Sequence, residues 1–438
     1  MPPQHPTSST TIYLDQPPSC LQFCPASPNY FVIGTYLLSE TKVTEEDGTE
    51  SISQKKTGSL QLWHLDEDRD ELTQISRYPL NAAVFDLQFK DRNSSKSSSP
   101  SNIFAIATSD ASVSFFTVSS TGFTRLWTRT VHEDLSTPAL YLAWLPENWL
   151  PFSGSASRGE WPRKEGFAVT FSDGKTGVFG IDGPINAFYS NAEEKATEIG
   201  AFEAKQPIEI WFVAVASYAN TSTEDEDEVE AYTPYLFTGN DFGSLHTRRF
   251  TDIQSHVQDD KEEDDADTDD TSPLTPILST DDRALHHTAG VTSIIPLPIP
   301  LSHPVCNGAP LLLTGSYDES LRVYHASGRG RVLGEMGLGG GVWRLQILYT
   351  CTVKGIWTLL VLASCMHGGT RVVKVRIGER EEEVGIEVLA EFTEHESMNY
   401  ASDVWRGTGV DAGGSGSERR VVSSSFYDRR VCVWRVTV

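Results

Sequence analysis

Histidine is the side chain that changes charge near neutral pH, and one of the eleven histidines in this 438-residue chain stands where a regular pattern breaks. His367 lies in VLASCMHGGTRVVKV, Val361 to Val375, at the place where parallel strings carry Asp. Gly368 and Gly369 follow it, and residues without a Cβ let another backbone come close. His367 is therefore the candidate general base, with a turn cap as the alternative role for the same residue. Glu209 and Trp211, in IEIW, supply a carboxylate able to take a proton and an indole beside it, although a pore-lining Glu next to a core Trp gives the same string. Trp343 and Arg344, in GGGVWR, add a second indole and a guanidinium suited to an oxyanion or carboxylate, although a packed Trp with a snorkelling Arg gives the same string. Cys365 is a possible thiol nucleophile two residues before His367, but a strand cysteine more often packs as a small hydrophobe.

Familiar hydrolytic signatures are missing. The chain has no GxSxG elbow and no HExxH zinc motif. Its six cysteines include no CxxC pair followed by a second at zinc-finger spacing, so neither a metal, a cofactor nor a disulfide framework is expected.

The elements that must hold these residues repeat along the chain. LLTGSYDESLRVY, Leu312 to Tyr324, returns as VVSSSFYDRRVCVW, Val421 to Trp434; each is an apolar strand, a turn carrying Asp and an alternating strand ending on an aromatic. Related strings run from Phe104 to Phe116, Phe167 to Phe179 and Leu236 to Arg248, and with His367 for Asp from Val361. A seventh starts at Phe31 and resumes at Gly58. Such strand pairs cannot bury an apolar face alone, and radial stacking of four-stranded blades answers the need. The expected fold is all-β, a single seven-bladed WD40-type β-propeller. The blades are read as Ser19–Leu65, Ala83–Val118, Ala139–Ile181, Ile208–Phe250, Gly290–Ala326, Gly341–Ile377 and Ala401–Val436, with Thr10 to Asp15 closing the ring beside the last strand. Flexible insertions are expected over 41–57, 93–101, 221–230, 255–280 and 407–418.

A formal charge of -25 disfavours a nucleic-acid partner held through phosphates. Much of it lies in acidic runs such as DDKEEDDADTDD, Asp259 to Asp270, which read as solvated loops or as docking sites for a basic partner. No 18-residue apolar run and no leader peptide appear, so the reading is a cytosolic protein, off the membrane and monomeric.

In propellers of this type a His, a Ser or Thr, the turn Asp and the terminal aromatic often form a buried hydrogen-bonded set. His287, Ser316, Asp318 and Tyr324 would be one such set, and His395, Ser425, Asp428 and Trp434 another. His287, Asp318 and Asp428 are accordingly assigned structural roles.

Several strings go beyond what a blade requires. TGSYDESLRVY, GGGVWRLQ from Gly339, LASCMHGG from Leu362 and SSSFYDRRVCVW from Ser423, supported by HTAGVTSI, IEIWFVAVA and VFDLQF, resemble the WD-repeat diphthine methyl ester hydrolases of diphthamide biosynthesis. The resemblance covers most of the C-terminal half well and the N-terminal half weakly. It departs in blade 4, where Lys205 stands near the place of an upstream His, and in blades 5 and 6, which end on Tyr324 and on Lys374 or Val375 in place of Trp.

The resemblance implies hydrolysis of the methyl ester of diphthine, the modified histidine of translation elongation factor 2, to a carboxylate that another enzyme amidates. His367 and Glu209 would then be catalytic, and Trp211, Trp343 and Arg344 would bind substrate. Without those strings, composition and repeats favour a non-catalytic WD scaffold for protein assembly.

Overall fold

Period-two alternation places one face of each strand against a neighbouring blade, and the resulting architecture is seven four-stranded antiparallel blades. The computed structural model describes residues 2–44, 50–90, 101–150, 165–186, 195–220, 231–254, 274–282, 287–407 and 417–438. Blade 1 takes Pro18–Cys24, Ser27–Thr35, the second half of Glu50–Asp66, and Glu71–Leu80. The inner strands of blades 2 to 7 begin at Val84, Ala139, Ile210, Val291, Arg344 and Ala401. Each packs against the inner strand of the next blade, and that of blade 7 against that of blade 1, so the ring closes.

The N-terminal segment completes blade 7. Ser8–Tyr13 pairs antiparallel with Arg430–Thr437, in a register running from Ser8 opposite Trp434 to Tyr13 opposite Arg430. The expected closing strand is present, displaced by two residues from Thr10–Asp15.

The outer strands escaped the sequence-based blade limits. Gly122–Thr130, Ala196–Glu203, Leu278–Asp282, Arg331–Gly337 and Gly385–Phe392 all lie beyond the expected ends. Each is wet on one face, as in Gly122–Thr130 where only Trp127 is fully buried, so its apolar alternation is faint. Leu278–Asp282 also corrects the insertion expected over 255–280, whose last residues form the outer strand of blade 4. The insertion expected over 41–57 is a two-stranded ribbon, Leu37–Thr44 against the start of Glu50–Asp66, built on β-branched and long polar residues. The expected insertions at 93–101, 221–230 and 407–418 lie outside the described residues except for 101, 407, 417 and 418.

Around the axis, side chains of one inner strand satisfy the backbone of the next. Phe89 N donates to Gln22 Oε1 at 3.0 Å, Leu142 N to Asp86 Oδ2 at 3.3 Å, Leu345 N to Ser293 Oγ at 3.0 Å and Phe23 N to Asp403 Oδ2 at 2.7 Å. Buried amides must find acceptors, and these bonds tie blade 1 to 2, 2 to 3, 5 to 6 and 7 to 1. Among the described residues, no helix is long and apolar enough to cross a membrane.

Candidate functional site

One end of the ring gathers the loops that lead into the inner strands and the turns between the second and third strands of each blade. Trp211 opens the inner strand of blade 4, Trp343 precedes that of blade 6 and Tyr400 that of blade 7. Tyr317 and Phe426 sit in the turns of blades 5 and 7, Tyr36 just after the second strand of blade 1, and Phe85 near the start of blade 2.

Their rings form a continuous crescent. Trp211, Tyr317 and Trp343 contact one another with centroids 5.5 to 6.2 Å apart. Trp343 reaches Tyr400 at 5.0 Å, Tyr400 reaches Phe426 at 5.4 Å, Phe426 reaches Tyr36 at 6.1 Å and Tyr36 reaches Phe85 at 5.4 Å. All seven are half-buried, unlike the core rings. Trp211 Nε1 donates to Asp241 Oδ1 at 2.7 Å. Burial, helped by the carboxylates of Asp241 and Glu209, raises the Tyr317 hydroxyl well above its ordinary value.

Arg344 lies beneath Trp343. Its Nη1 donates to the carbonyls of Thr292 and Trp343, both at 2.9 Å, and its guanidinium stands 4.8 Å from the centroid of Tyr141 and 5.5 Å from that of Phe212. It therefore reaches from blade 6 toward blades 3 and 4. Its charge opposes the burial that raises the Asp86 carboxyl.

His367 stands on the rim with its side chain 57% exposed, and its Nε2 is 3.5 Å from Glu319 Oε1 in the turn of blade 5. Glu209 is half-buried, and its carbonyl accepts a hydrogen bond from Asp241 N at 3.0 Å. Among the described residues, no hydrogen bond or ion pair joins His367, Glu209 and Arg344 to one another. Cys365 is fully buried and burial pushes its thiol up to about 12, which removes it as a nucleophile.

The glycines beside His367 serve the chain itself. A Cβ on Gly340 would lie 2.2 Å from Cys365 O, and one on Gly369, whose φ is +80°, 2.2 Å from Phe392 O. The GGG and HGG strings therefore let the approach to Trp343 lie against the turn carrying His367.

His287 Nδ1 lies 3.0 Å from Asp318 Oδ2, and its Nε2 lies 2.8 Å from Thr314 Oγ1. Hydrogen bonds from His287 and Arg322 outweigh burial and hold Asp318 well below the usual carboxylate range. In blade 7, Trp434 Nε1 donates to Ser423 Oγ at 3.0 Å, and that oxygen lies 2.8 Å from His395 Nε2. Asp428 Oδ2 accepts a hydrogen bond from Glu396 N at 3.1 Å. Thr314 and Ser423 thus take the places expected of Ser316 and Ser425. Both are two residues earlier, on the same strand face, where alternation alone does not choose.

Comparison with known proteins bears on this ring of strands. The chain is 29% identical over 153 residues to the Schizosaccharomyces pombe (strain 972 / ATCC 24843) protein named diphthine methyltransferase. The match takes in 35% of this chain and 39% of that one, so it spans about two fifths of the relative's length. Over that stretch this chain, a seven-bladed β-propeller, is similar to diphthine methyltransferase. No family model matches it. Among solved structures, a chain of the mitotic checkpoint complex superposes with a TM-score of 0.52 at 12% identity, covering 98% of this propeller and 92% of that chain. Chaetomium thermophilum Sqt1, bound to the N-terminus of ribosomal protein L10, gives 0.50 at 12% identity over 98% of this propeller and all of that chain. These likenesses carry the fold alone.

Five rings of the crescent and Asp241 were not singled out from sequence. The signal was an aromatic recurring beside the turn Asp, as in GSYD and SFYD, or just ahead of an inner strand, as in NYAS.

Proposed function

We propose that this protein hydrolyses the methyl ester of diphthine on translation elongation factor 2, in the cytoplasm, leaving a carboxylate for later amidation. The observation that carries the reading is an aromatic, carboxylate-edged mouth in a chain related to diphthine methyltransferase. Water adds to the ester carbonyl carbon as His367 takes its proton; the bond to the methoxy oxygen then breaks, and that oxygen leaves with the proton as methanol. Glu209 and Asp241 draw the cationic side chain to the mouth, Trp211 and Trp343 pack against it, and the charge of Arg344 offsets the developing oxyanion. An exposed imidazole suits a substrate delivered on another protein. Tyr427, 69% exposed, and Phe242, 54% exposed, lie in turns on the same end and would be covered by it.

The same exposed rings would serve a scaffold that binds without reacting. Purified protein incubated with methyl-esterified elongation factor 2 separates the two readings by intact mass. Loss of the methyl group at catalytic protein levels is expected, and stable binding without release leaves the scaffold. His367→Ala is expected to slow turnover by a factor on the order of 100 or more; undiminished turnover in a folded variant removes His367 from the mechanism.

A further inference from the structure

Blade 1 holds a part that closing a blade does not require. In the other blades the turn between the second and third strands takes from three residues, as at 317–319, to five, as at 365–369. In blade 1 it is the ribbon of Leu37–Thr44 against the start of Glu50–Asp66, with eight successive pairs from Leu37 opposite Thr57 to Thr44 opposite Glu50 and no bulge. A two-stranded ribbon alone in water has little stability of its own, and its support lies at the root. Tyr36, which leads into it, is the crescent ring that meets Phe85 and Phe426. Thr35 and Ser59 are fully buried; Ser59 N donates to Thr35 Oγ1 at 2.7 Å, and the two hydroxyls donate to Gln16 Oε1 at 2.8 and 2.9 Å. A Cβ on Gly58 would lie 2.2 Å from Thr35 O, so the two strands enter the ribbon in close contact.

Beyond the root the ribbon is wet. Alternation puts Leu38, Glu40 and Lys42 on one face with their partners Lys56, Gln54 and Ile52. Leu38 is 43% exposed and Ile52 63%, while Glu40 Oε1 accepts from Gln54 Nε2 at 2.9 Å. Lys55 adds charge on the other face. Among the described residues, Leu37–Thr44 pairs with no second strand. It continues Ser27–Thr35, whose other neighbour is the inner strand Pro18–Cys24, so at the root its open edge lies on the side of the ring axis. An open edge without a bulge is a template for another extended chain. Lys42, Lys55 and Lys56 oppose a second copy of the same ribbon and favour a segment bearing carboxylates.

We propose that the ribbon is a docking arm: an extended, carboxylate-bearing segment of the protein whose side chain enters the mouth adds as a third strand along Leu37–Thr44. Its apolar side chains cover Leu38 and Ile52, and its carboxylates meet the lysines. That this protein is elongation factor 2 rests on the esterase reading. The arm touches no reacting atom; it holds the substrate protein at a second point of one rigid body, and two such contacts reinforce each other.

The test compares the native chain with one in which residues 38–56 are replaced by Asn-Gly, a pair that turns one strand directly into the next. Each is titrated by calorimetry with elongation factor 2 bearing diphthine as the free acid, which cannot be consumed. The shortened chain is expected to bind at least tenfold more weakly while melting with the native one. Lys55→Glu with Lys56→Glu, which leaves the ribbon backbone in place, is expected to bind several-fold more weakly, with the gap closing as salt rises; it decides the matter should the shortened chain melt early. Deuterium uptake at Leu37–Thr44 should slow on binding. Equal affinity in both variants overturns the proposal, as does binding that leaves uptake at Leu37–Thr44 unchanged. Ribbon-dependent binding without loss of the methyl group from the esterified factor removes the esterase and leaves the arm. Loss of the methyl group with the same KM with and without the ribbon removes the arm and leaves the esterase.

Discussion

His395 shows how a motif that recurs along the chain turns into a measurable property of one imidazole. The indole N–H of Trp434 can only donate, so Ser423 accepts from it and its own hydroxyl proton is free to go to His395 Nε2. Such a ring is neutral, and its surroundings keep it so. Burial is the leading influence; Arg430 adds to it, Asp428 and Glu394 oppose it, and the result is a value lowered to about 4 from 6.5. Because the folded value lies below the unfolded one, protonation favours the unfolded chain. Stability from this site is complete above about pH 6.5 and is lost as the pH falls toward 4, by about 3 kcal/mol at most. Urea midpoints taken from pH 7 to pH 4 are expected to fall more steeply for the native chain than for His395→Gln. Parallel curves would show that His395 is not kept neutral by the fold. Sequence spacing identified His395 and Trp434 but put Ser425 in the place of Ser423, since residues two apart share a strand face.

Among the elements, legibility followed burial. The second and third strands of each blade are covered on both faces, carry dense apolar runs and were found from the repeats. The outer strands were missed because a half-wet strand such as Gly122–Thr130 has little alternation to read. Only Trp211 and Trp343 of the crescent were visible, for a related reason: its rings come from six blades, and nothing in the spacing says that Tyr36 and Phe426 lie 6.1 Å apart. Bonds between inner strands were invisible for the same reason, yet they place a strong demand on single residues. Asp403, fully buried, accepts from Phe23 N at 2.7 Å and from Gln346 Nε2 at 3.0 Å, linking blade 7 to blades 1 and 6. Removing the carboxylate leaves three donors without this acceptor, the buried amides of Phe23 and Val404 and the half-buried side-chain amide of Gln346, at about 1 to 3 kcal/mol for each buried one. Asp403→Ala is expected to lower stability by about 3 kcal/mol or more in chemical unfolding, and Asp403→Asn, which keeps one acceptor, by about half of that. A loss under about 1 kcal/mol for the alanine variant would mean that water replaces the carboxylate at these amides.

At the scale of the whole molecule, the ring must be closed by residues far apart in sequence, and three unlike contacts between blades 7 and 1 stand out, beside smaller ones such as Trp405 Nε1 donating to Asn29 Oδ1 at 2.8 Å. Near the axis it is the bond from Phe23 N to Asp403. At the rim, Asp70 in a tight turn of blade 1 receives Arg435 Nε at 2.9 Å and Arg420 Nε at 2.5 Å, both from blade 7. Between them, Ser8–Tyr13 lies along Arg430–Thr437 and leads into the first blade. The strand differs from the other two in covering a whole edge. Without it, Arg430–Thr437 offers its unpaired backbone to any other strand, and Val431, Val433 and Trp434, all fully buried, lose part of their cover. Deleting residues 2–13 is therefore expected to lower the unfolding temperature and to produce concentration-dependent association, whereas a point change at Asp70 should lower the temperature alone. Calorimetry with size-exclusion chromatography over a range of concentrations separates the two effects. A deletion variant that stays monomeric and melts with the full chain would show that the remaining contacts between blades 7 and 1 close the ring without the strand.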